Sequence, residues 1–488
     1  MVIAMNTKRL GESTTLCKFM QIRRRNVGFV ANIPNQFSNH ALERRYIVEM
    51  TKRVSEFSQR GDIVNARQLF DEMPQRDSVT WNIMIRCYIE NNRVGEAREL
   101  FDRMVDRNIV SWNSMIMAYT QERKLHIALK LFFVMPDKDV VSWTSIVSGL
   151  CRDSSVMDAY RLFKQMPERN SVSWSSIISG FQQNGFPFET LSLFKEMLLG
   201  GVQPTSHCFT SALTASAELA ALSVGEQLYC QVVKGGFESN HLVGNSAITM
   251  FMKSGSFDNA RRVFLGMSLP DLVTWNSMIV GYGQHGHGVE AILTFHQMQK
   301  ACFWPDDISF LGVLQGCTHC GYVEEAMRYF TSMQIDYGIP PGPEHYVCMV
   351  DVLARAGSLK EALDLIHKMP FEPAAIFWRT LLNGCRIWRD FELGEFAADK
   401  VLKLEPYSAS VCLMVIDMYT FVGRFADVEE IRRQMRERGA RKEVAHSWVE
   451  VQGRVNVFTT KDETHVESDN IYSTLQLLAY YVAEHVWL

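Results

Sequence analysis

Apolar residues along most of this chain recur at i, i+3, i+4 and i+7, the spacing of one buried face of an α-helix. Trp112, Met115, Ile116 and Tyr119 form one such stripe. A second pattern follows each stripe: Ala, a bulky aliphatic residue, Phe and Met, as in Ala97, Leu100, Phe101, Met104, in Ala159, Leu162, Phe163, Met166 and in Ala260, Val263, Phe264, Met267. The small Ala admits a neighbouring helix, and Phe and Met fill the space between units. The second segment often stops at Met-Pro (Met73-Pro74, Met135-Pro136, Met166-Pro167). Proline cannot continue a helix and disfavours α geometry in the residue before it. Gly61, Gly255 and Gly321 fall between segments, where glycine adopts left-handed geometry at little cost. The pattern predicts a helix A, a turn and a helix B in each unit.

The units recur on a fixed ladder. Trp81, Trp112, Trp143 and Trp174 are each 31 residues apart. Phe209 and Gly244 follow at 35, Trp275 at 31 and Phe310 at 35. The phrase Trp-Asn-Ser-Met-Ile stands at 112–116 and again at 275–279. A single helical hairpin cannot bury its apolar face, but a stack can. The expected architecture is therefore an all-α solenoid with a concave surface lined by the A helices.

Composition narrows the function classes. With 488 residues, 47% hydrophobic and 21% charged, the chain can bury a large core. A net charge of −4 is unlike a non-specific nucleic-acid coat protein, so any nucleic-acid contact must be local. Eleven scattered cysteines do not form a secreted disulfide framework and point to reduced thiols in a cytosolic, nuclear or organellar space. No apolar run is long enough for a spanning helix, so no membrane insertion is expected. Residues 1–42 carry Lys8, Arg9, Lys18, Arg23, Arg24 and Arg25 against one acid, Glu12. This is the composition of an organelle transit peptide, with arginine favouring the mitochondrion over the chloroplast; a solvated, disordered N-terminus is the plainer alternative.

The tetratricopeptide pattern W-x2-L-G-x2-Y is absent. The stretches DSVTWNIMI (77–85), NIVSWNSMI (108–116), DVVSWTSIV (139–147) and DLVTWNSMI (271–279), with ARQLFDEMPQRD (66–77) and ARELFDRM (97–104), resemble pentatricopeptide repeats. The mixture of 31- and 35-residue units resembles the plant subclass of long and short repeats. The resemblance implies about ten repeats over 47–374, each of 31–36 residues, wound as a right-handed superhelical α-solenoid. FWRTLLNGCRIWRDFELGEFAADKVLKLEP (377–406) and MYTFVGRFADVEEIRRQMRERGARKE (418–443) resemble the two E motifs, within 375–442. SWVEVQGRVNVFTTKDETH (447–465) resembles the segment that opens a C-terminal deaminase-like domain, which makes 443–488 a tail without the deaminase core. Val444, Ala445 and His446 stand where that family usually has Pro-Gly-Cys.

Pentatricopeptide arrays read one RNA base per unit with two or three side chains. The candidates are the residue after the aromatic and the last residue of the same unit. The family's pairing rules imply guanine for Thr51 with Asp77, cytosine for Asn82 with Asn108, uracil for Asn113 with Asp139 and adenine for Thr144 with Asn170. Ser175 with Thr205 has no clear preference, and Thr210 with Asn240 implies adenine in a long-type repeat. Asn245 with Asp271 and Asn276 with Asp306 both imply uracil. Leu311 and Val347 occupy the last two reading positions and cannot hydrogen-bond a base. The plainer alternative is that Asp and Asn before a helix are ordinary N-caps. The tryptophans are expected to pack rather than to stack on bases.

Catalytic motifs do not assemble. His465-Val-Glu467 matches the first half of a zinc deaminase signature, H-x-E followed by P-C-x-x-C, but no cysteine follows Cys412 and the chain ends about 20 residues later. We read it as a false match and expect no enzyme, no metal site and no cofactor. Cys317-Thr-His-Cys320 has no second pair to complete a zinc site. GYGQHGHG (281–288) is assigned to a turn between two helices, with no preceding strand. The expected function is a sequence-specific binder of single-stranded organellar RNA, serving cytidine-to-uridine editing and recruiting a deaminase of the DYW type, or other editing factors, through the E motifs. A role in splicing, stability or translation, or a protein-binding scaffold, are the alternatives.

Overall fold

The computed structural model describes residues 36–405, 408–437, 446–451, 454–459 and 468–485. Residues 1–35, with the transit-peptide segment up to that point, and the His465–Glu467 motif lie outside the described residues. The described residues form 25 helices and one two-stranded hairpin. The helical-solenoid expectation holds along the repeats. The hairpin is an addition to it: His446–Val451 pairs antiparallel with Arg454–Thr459, Trp448 opposite Val457. The chain divides into two compact units, Met1–Ser142 and Trp143–Leu488, with the division inside the helix Val140–Arg152.

Both units are built from the same hairpin. Helix A hardly varies in length: Ser78–Glu90, Ile109–Gln121, Ser171–Gln183, Ser206–Glu218, His241–Lys253 and Leu272–Gln284 each have 13 residues, and Asp307–Cys320 has 14. Helix B takes two lengths. It has 10 residues in the 31-residue units, as in Val94–Arg103, Leu125–Val134 and Phe257–Gly266. It has 13 in the 35-residue units, as in Pro187–Leu199, Leu222–Lys234 and Gly288–Lys300. The short form ends on an extended methionine, Met104, Met166 or Met267, which is the C-cap and not the last helical residue. The long form leaves through a left-handed residue, Gly201, Gly236 or Cys302.

The aromatic of helix A packs on the Phe of the preceding helix B. Trp112 meets Phe101 edge-on at 4.9 Å, Trp174 meets Phe163 at 4.8 Å and Trp275 meets Phe264 at 4.7 Å. Trp112, Trp174 and Trp275 are at most 8% exposed, so they are packing residues. In the second unit one buried cluster runs from Trp275 through Phe310 and Trp378 to Ile431. The helices matched to the E motifs therefore share their core with the repeats before them. Leu272–Gln284 and Asp307–Cys320 approach so closely that a Cβ on Gly283 would lie 2.2 Å from the Gly312 carbonyl oxygen. GYGQHGHG is thus mostly not a turn: 281–284 belong to helix A, and only 285–287 connect it to the helix starting at Gly288.

Candidate nucleic-acid interface

The last residue of each unit caps the next helix A, because a side-chain oxygen just before a helix can take one of its orphan N–H groups. Asp77 accepts from the Thr80 N–H at 2.8 Å, Asn108 from Ser111 at 3.0 Å and Asp139 from Ser142 at 2.9 Å. Asn170, Thr205, Asn240, Asp271 and Asp306 cap their helices in the same way. The capping alternative is therefore met in full, and it does not exclude a second role. Four of these side chains also hold an Asn at the reading position of the preceding helix A. The Asn82 amide donates to Asn108 Oδ1 at 3.1 Å. The Asn113 amide donates to both Asp139 oxygens, at 3.0 and 3.2 Å. Asn276 does the same to Asp306, at 2.9 and 3.1 Å, and Asn245 reaches Asp271 at 3.4 Å.

The other pairs are brought together less directly. Thr205 donates to Ser175 across 3.3 Å. Thr51 meets Thr80 at 2.7 Å, and Thr80 in turn donates to Asp77 at 2.6 Å. Thr210 bonds the carbonyl of Ser206, and Asn240 bonds only backbone N–H groups of its own helix. Thr144 is half-buried in Val140–Arg152, and Asn170 is exposed at its cap. Leu311 and Val347 are half-buried against the core.

Three sets of residues at this face escaped the sequence reading. The first is the hydroxyl just before the aromatic: Thr80, Ser111, Ser142, Ser173, Thr274 and Ser309 are all fully buried. Its signal was a polar residue at one phase beside a buried aromatic. Second, one apolar residue per unit stays exposed on the N-terminal turn of helix A: Val79, Val110, Val141, Val172, Val273 and Ile308. Third, a basic residue before the cap closes the short helix B. Arg107 donates to the carbonyls of Phe101 and Asp102 at 2.9 and 2.8 Å, with its guanidinium 5.0 Å from the Phe101 ring centroid. Arg76, Lys138 and Arg169 do likewise, whereas prolines precede Thr205, Asp271 and Asp306.

Beside Asn276 lies an open cleft of about 310 Å³, lined by Val273, Ile308, Asp306, Lys253 and Gln284 among others. Two exposed aliphatic side chains flank a polar pair, an arrangement that suits a flat ring with a polar edge. Burial alone would raise the pKa of Asp139, but the Ser142 N–H and the Asn113 amide outweigh it and hold the group below its ordinary value. Asp271 is likewise depressed, with burial opposed by the Thr274 hydroxyl and N–H and the Asn245 amide.

The two thiols of Cys317-Thr-His-Cys320 differ in burial. Cys317 is fully buried, and burial pushes its pKa up to about 12. Cys320 donates to the Gly286 carbonyl. Among the described residues no group of three or more His, Cys, Asp or Glu is placed to hold a metal, and no helix is long and apolar enough to cross a membrane.

Comparison with known proteins places these geometries in context. The family model described as "PPR repeat family" matches 76–109 and 270–319. "PPR repeat" models match 110–140, 137–167, 172–202, 308–336 and 344–372, and "E motif" matches 388–450. A pentatricopeptide repeat-containing protein of Arabidopsis thaliana is 40% identical over 57% of this chain and 41% of its own length. Two further Arabidopsis thaliana relatives, one named as chloroplastic and one as mitochondrial, are 38% and 35% identical over 55% and 57% of this chain, and over 32% and 36% of their own lengths. The chain thus spans about two fifths or less of these relatives. Among solved structures, maize PPR10 aligns with a TM-score of 0.50 at 17% identity, over 80% of this chain and 64% of that one. PPR10 in complex with an 18-nt psaJ RNA element aligns with a TM-score of 0.58 at 15% identity, over 88% and 72%.

Proposed function

Because this chain belongs to the pentatricopeptide repeat family and carries its E motif, we propose that it binds single-stranded RNA by sequence, one base to each unit. The observation that carries this reading is the bridged pair. In four units, two consecutive ones at Asn82 and Asn113 and two at Asn245 and Asn276, an Asn at the reading position is held by the cap of the next helix A, which leaves amide groups at one phase of these units. The exposed aliphatic residue beside each pair gives a base an apolar wall, and Lys253 in the Asn276 cleft suits a phosphate. Base edges then meet Asn276–Asp306 and its counterparts in array order. The preferred strand is G, C, U, A, an unspecified base, A, U, U, with loose reading at Leu311 and Val347.

Its cellular role is site recognition for cytidine-to-uridine editing in an organelle, with a deaminase supplied in trans. This rests on the E-motif match over 388–450 and on exposed Phe421 and Phe425 in that region, 60% and 65% exposed, which suit a protein partner. The mitochondrion is favoured by the arginine-rich N-terminus; relatives carry both organelle names.

The decisive measurement is selection of randomised RNA by the purified full chain, followed by Asn276→Thr. The expected result is one enriched strand, with preference at a single nucleotide moving from uracil towards guanine. Recovery of no common sequence would refute RNA reading and leave a protein-binding scaffold. A strand that is enriched, in cells whose edited sites are all still converted without the protein, would move its role to splicing, stability or translation.

A further inference from the structure

The paired Asn and Asp do not close their own hydrogen-bond inventory. The carboxylate at the cap is an acceptor only, so it fixes one N–H of the Asn amide and says nothing about the amide oxygen. At Asn276 that oxygen accepts from the buried Ser309 hydroxyl at 2.6 Å, the shorter of that hydroxyl's two oxygen contacts, with Asp306 Oδ1 at 2.8 Å. The same hydroxyl oxygen accepts the Asp306 N–H at 3.2 Å, and the Ser309 N–H returns to Asp306 Oδ1 at 2.9 Å. The result is a ring of four bonds joining two consecutive helices. At Asn245 the arrangement is looser: the Thr274 hydroxyl accepts the Asp271 N–H at 3.1 Å, and its one proton lies between Asp271 Oδ1 at 2.7 Å and the amide oxygen at 2.8 Å. The ring is open at Asn82 and Asn113. There Ser111 and Ser142 turn to the carbonyls of Asn108 and Asp139, both at 2.7 Å, and the two amide oxygens are buried without a partner.

We propose that the hydroxyl before the aromatic, Ser309 in particular, is a positioning residue for base reading. By tying down the amide oxygen it leaves one N–H as the only group the Asn can offer to the strand. That donor matches the carbonyl edge of uracil and is mismatched with the amino group of cytosine. Without the hydroxyl, the amide pivots about its bond to the cap and discriminates less. This rests on the reading that Asn245 and Asn276 face bases. It adds a third member to each reading pair, one that never touches the RNA. The fold tolerates loss of a strong donor at this place, since the equivalent position in Ser206–Glu218 is the fully buried Cys208.

The test uses the full chain and its best-selected RNA, with each nucleotide varied in turn between uracil and cytosine. Wild type is compared with Asn276→Ala, Ser309→Ala, Ser309→Cys and Ser309→Thr. Ser309→Ala and Ser309→Cys are expected to lower the uracil-to-cytosine ratio about 5-fold at the one nucleotide that Asn276→Ala identifies. Preference elsewhere and the melting temperature of the Cys variant should stay near wild type, and Ser309→Thr should retain discrimination. An unchanged ratio at that nucleotide in both the Ala and the Cys variants overturns the proposal, as does a uniform loss of affinity at every position. If Asn276→Ala itself shifts no position, the base-reading assignment of the pair fails first, and the role of Ser309 falls with it.

Discussion

Asn113 and Asn276 stand in the same five-residue phrase, yet their surroundings differ. Asn113 is separated from its aspartate by 26 residues and Asn276 by 30. The amide-to-carboxylate distances agree within 0.1 Å all the same: 3.0 and 3.2 Å against 2.9 and 3.1 Å. Helix B absorbs the extra residues, and the Asn keeps its distance to the aspartate. What changes is the hydrogen-bond ring. Ser309 closes it, whereas Ser142 bonds its own cap and leaves the Asn113 oxygen buried and unpaired. The entry to each cap differs too: Lys138 precedes Asp139, and the buried Pro305 precedes Asp306. Identical letters thus give near-equal distances to the carboxylate but different surroundings for the amide oxygen.

The sharpest way to break this comparison is to remove the two caps. Asp306→Ala takes away the partner of Asn276, Ser309 N–H and the helix end together, and should cost about 2–3 kcal/mol; Asp139→Ala, in the open ring, should cost about 1–2 kcal/mol. Urea unfolding of the two variants measures both, and equal losses would dissolve the distinction. Next in size is Lys138→Ala. It removes the bond to the Met135 carbonyl and the contact over Phe132, at about 0.5–1 kcal/mol, with no counterpart before Asp306.

Acid should act in the same direction at both ends of the array. Because the folded state depresses Asp139 and Asp271, their contribution is complete above the ordinary carboxylate value of about 4 and is lost as pH falls through the depressed folded value. Melting temperatures taken from pH 7 downwards should fall less steeply for Asp139→Asn than for wild type. The smallest effect lies on the linker that only the long unit has. Cys302 holds a left-handed φ of 61°, so Cys302→Gly should raise stability by about 0.5–1 kcal/mol in a thermal melt.

Much of this was legible in the sequence. The helices followed from the 3.6-residue stripe, and the caps followed from Asp and Asn at one phase, because both are decided within a few residues. The ring was not legible, since Ser142 and Ser309 are the same letter and their hydroxyls choose between partners three and 33 residues away. The choice between cap and reader was posed as an alternative because sequence cannot show that one carboxylate serves two neighbours. The hairpin of 446–459 had a signal that was passed over: two alternating runs rich in Val, separated by Gln452-Gly453.

A helix A of 13 or 14 residues beside a helix B of 10 or 13 has a consequence for how such genes change. Insertions and deletions of close to one helical turn in helix B, with its linker, can be accepted without moving any Asn relative to its aspartate. A two-residue change would turn the rest of helix B by more than half a revolution and expose its Phe. Frame-preserving indels of three or four codons should therefore accumulate there between related genes, and whole units of either length should be exchangeable by recombination.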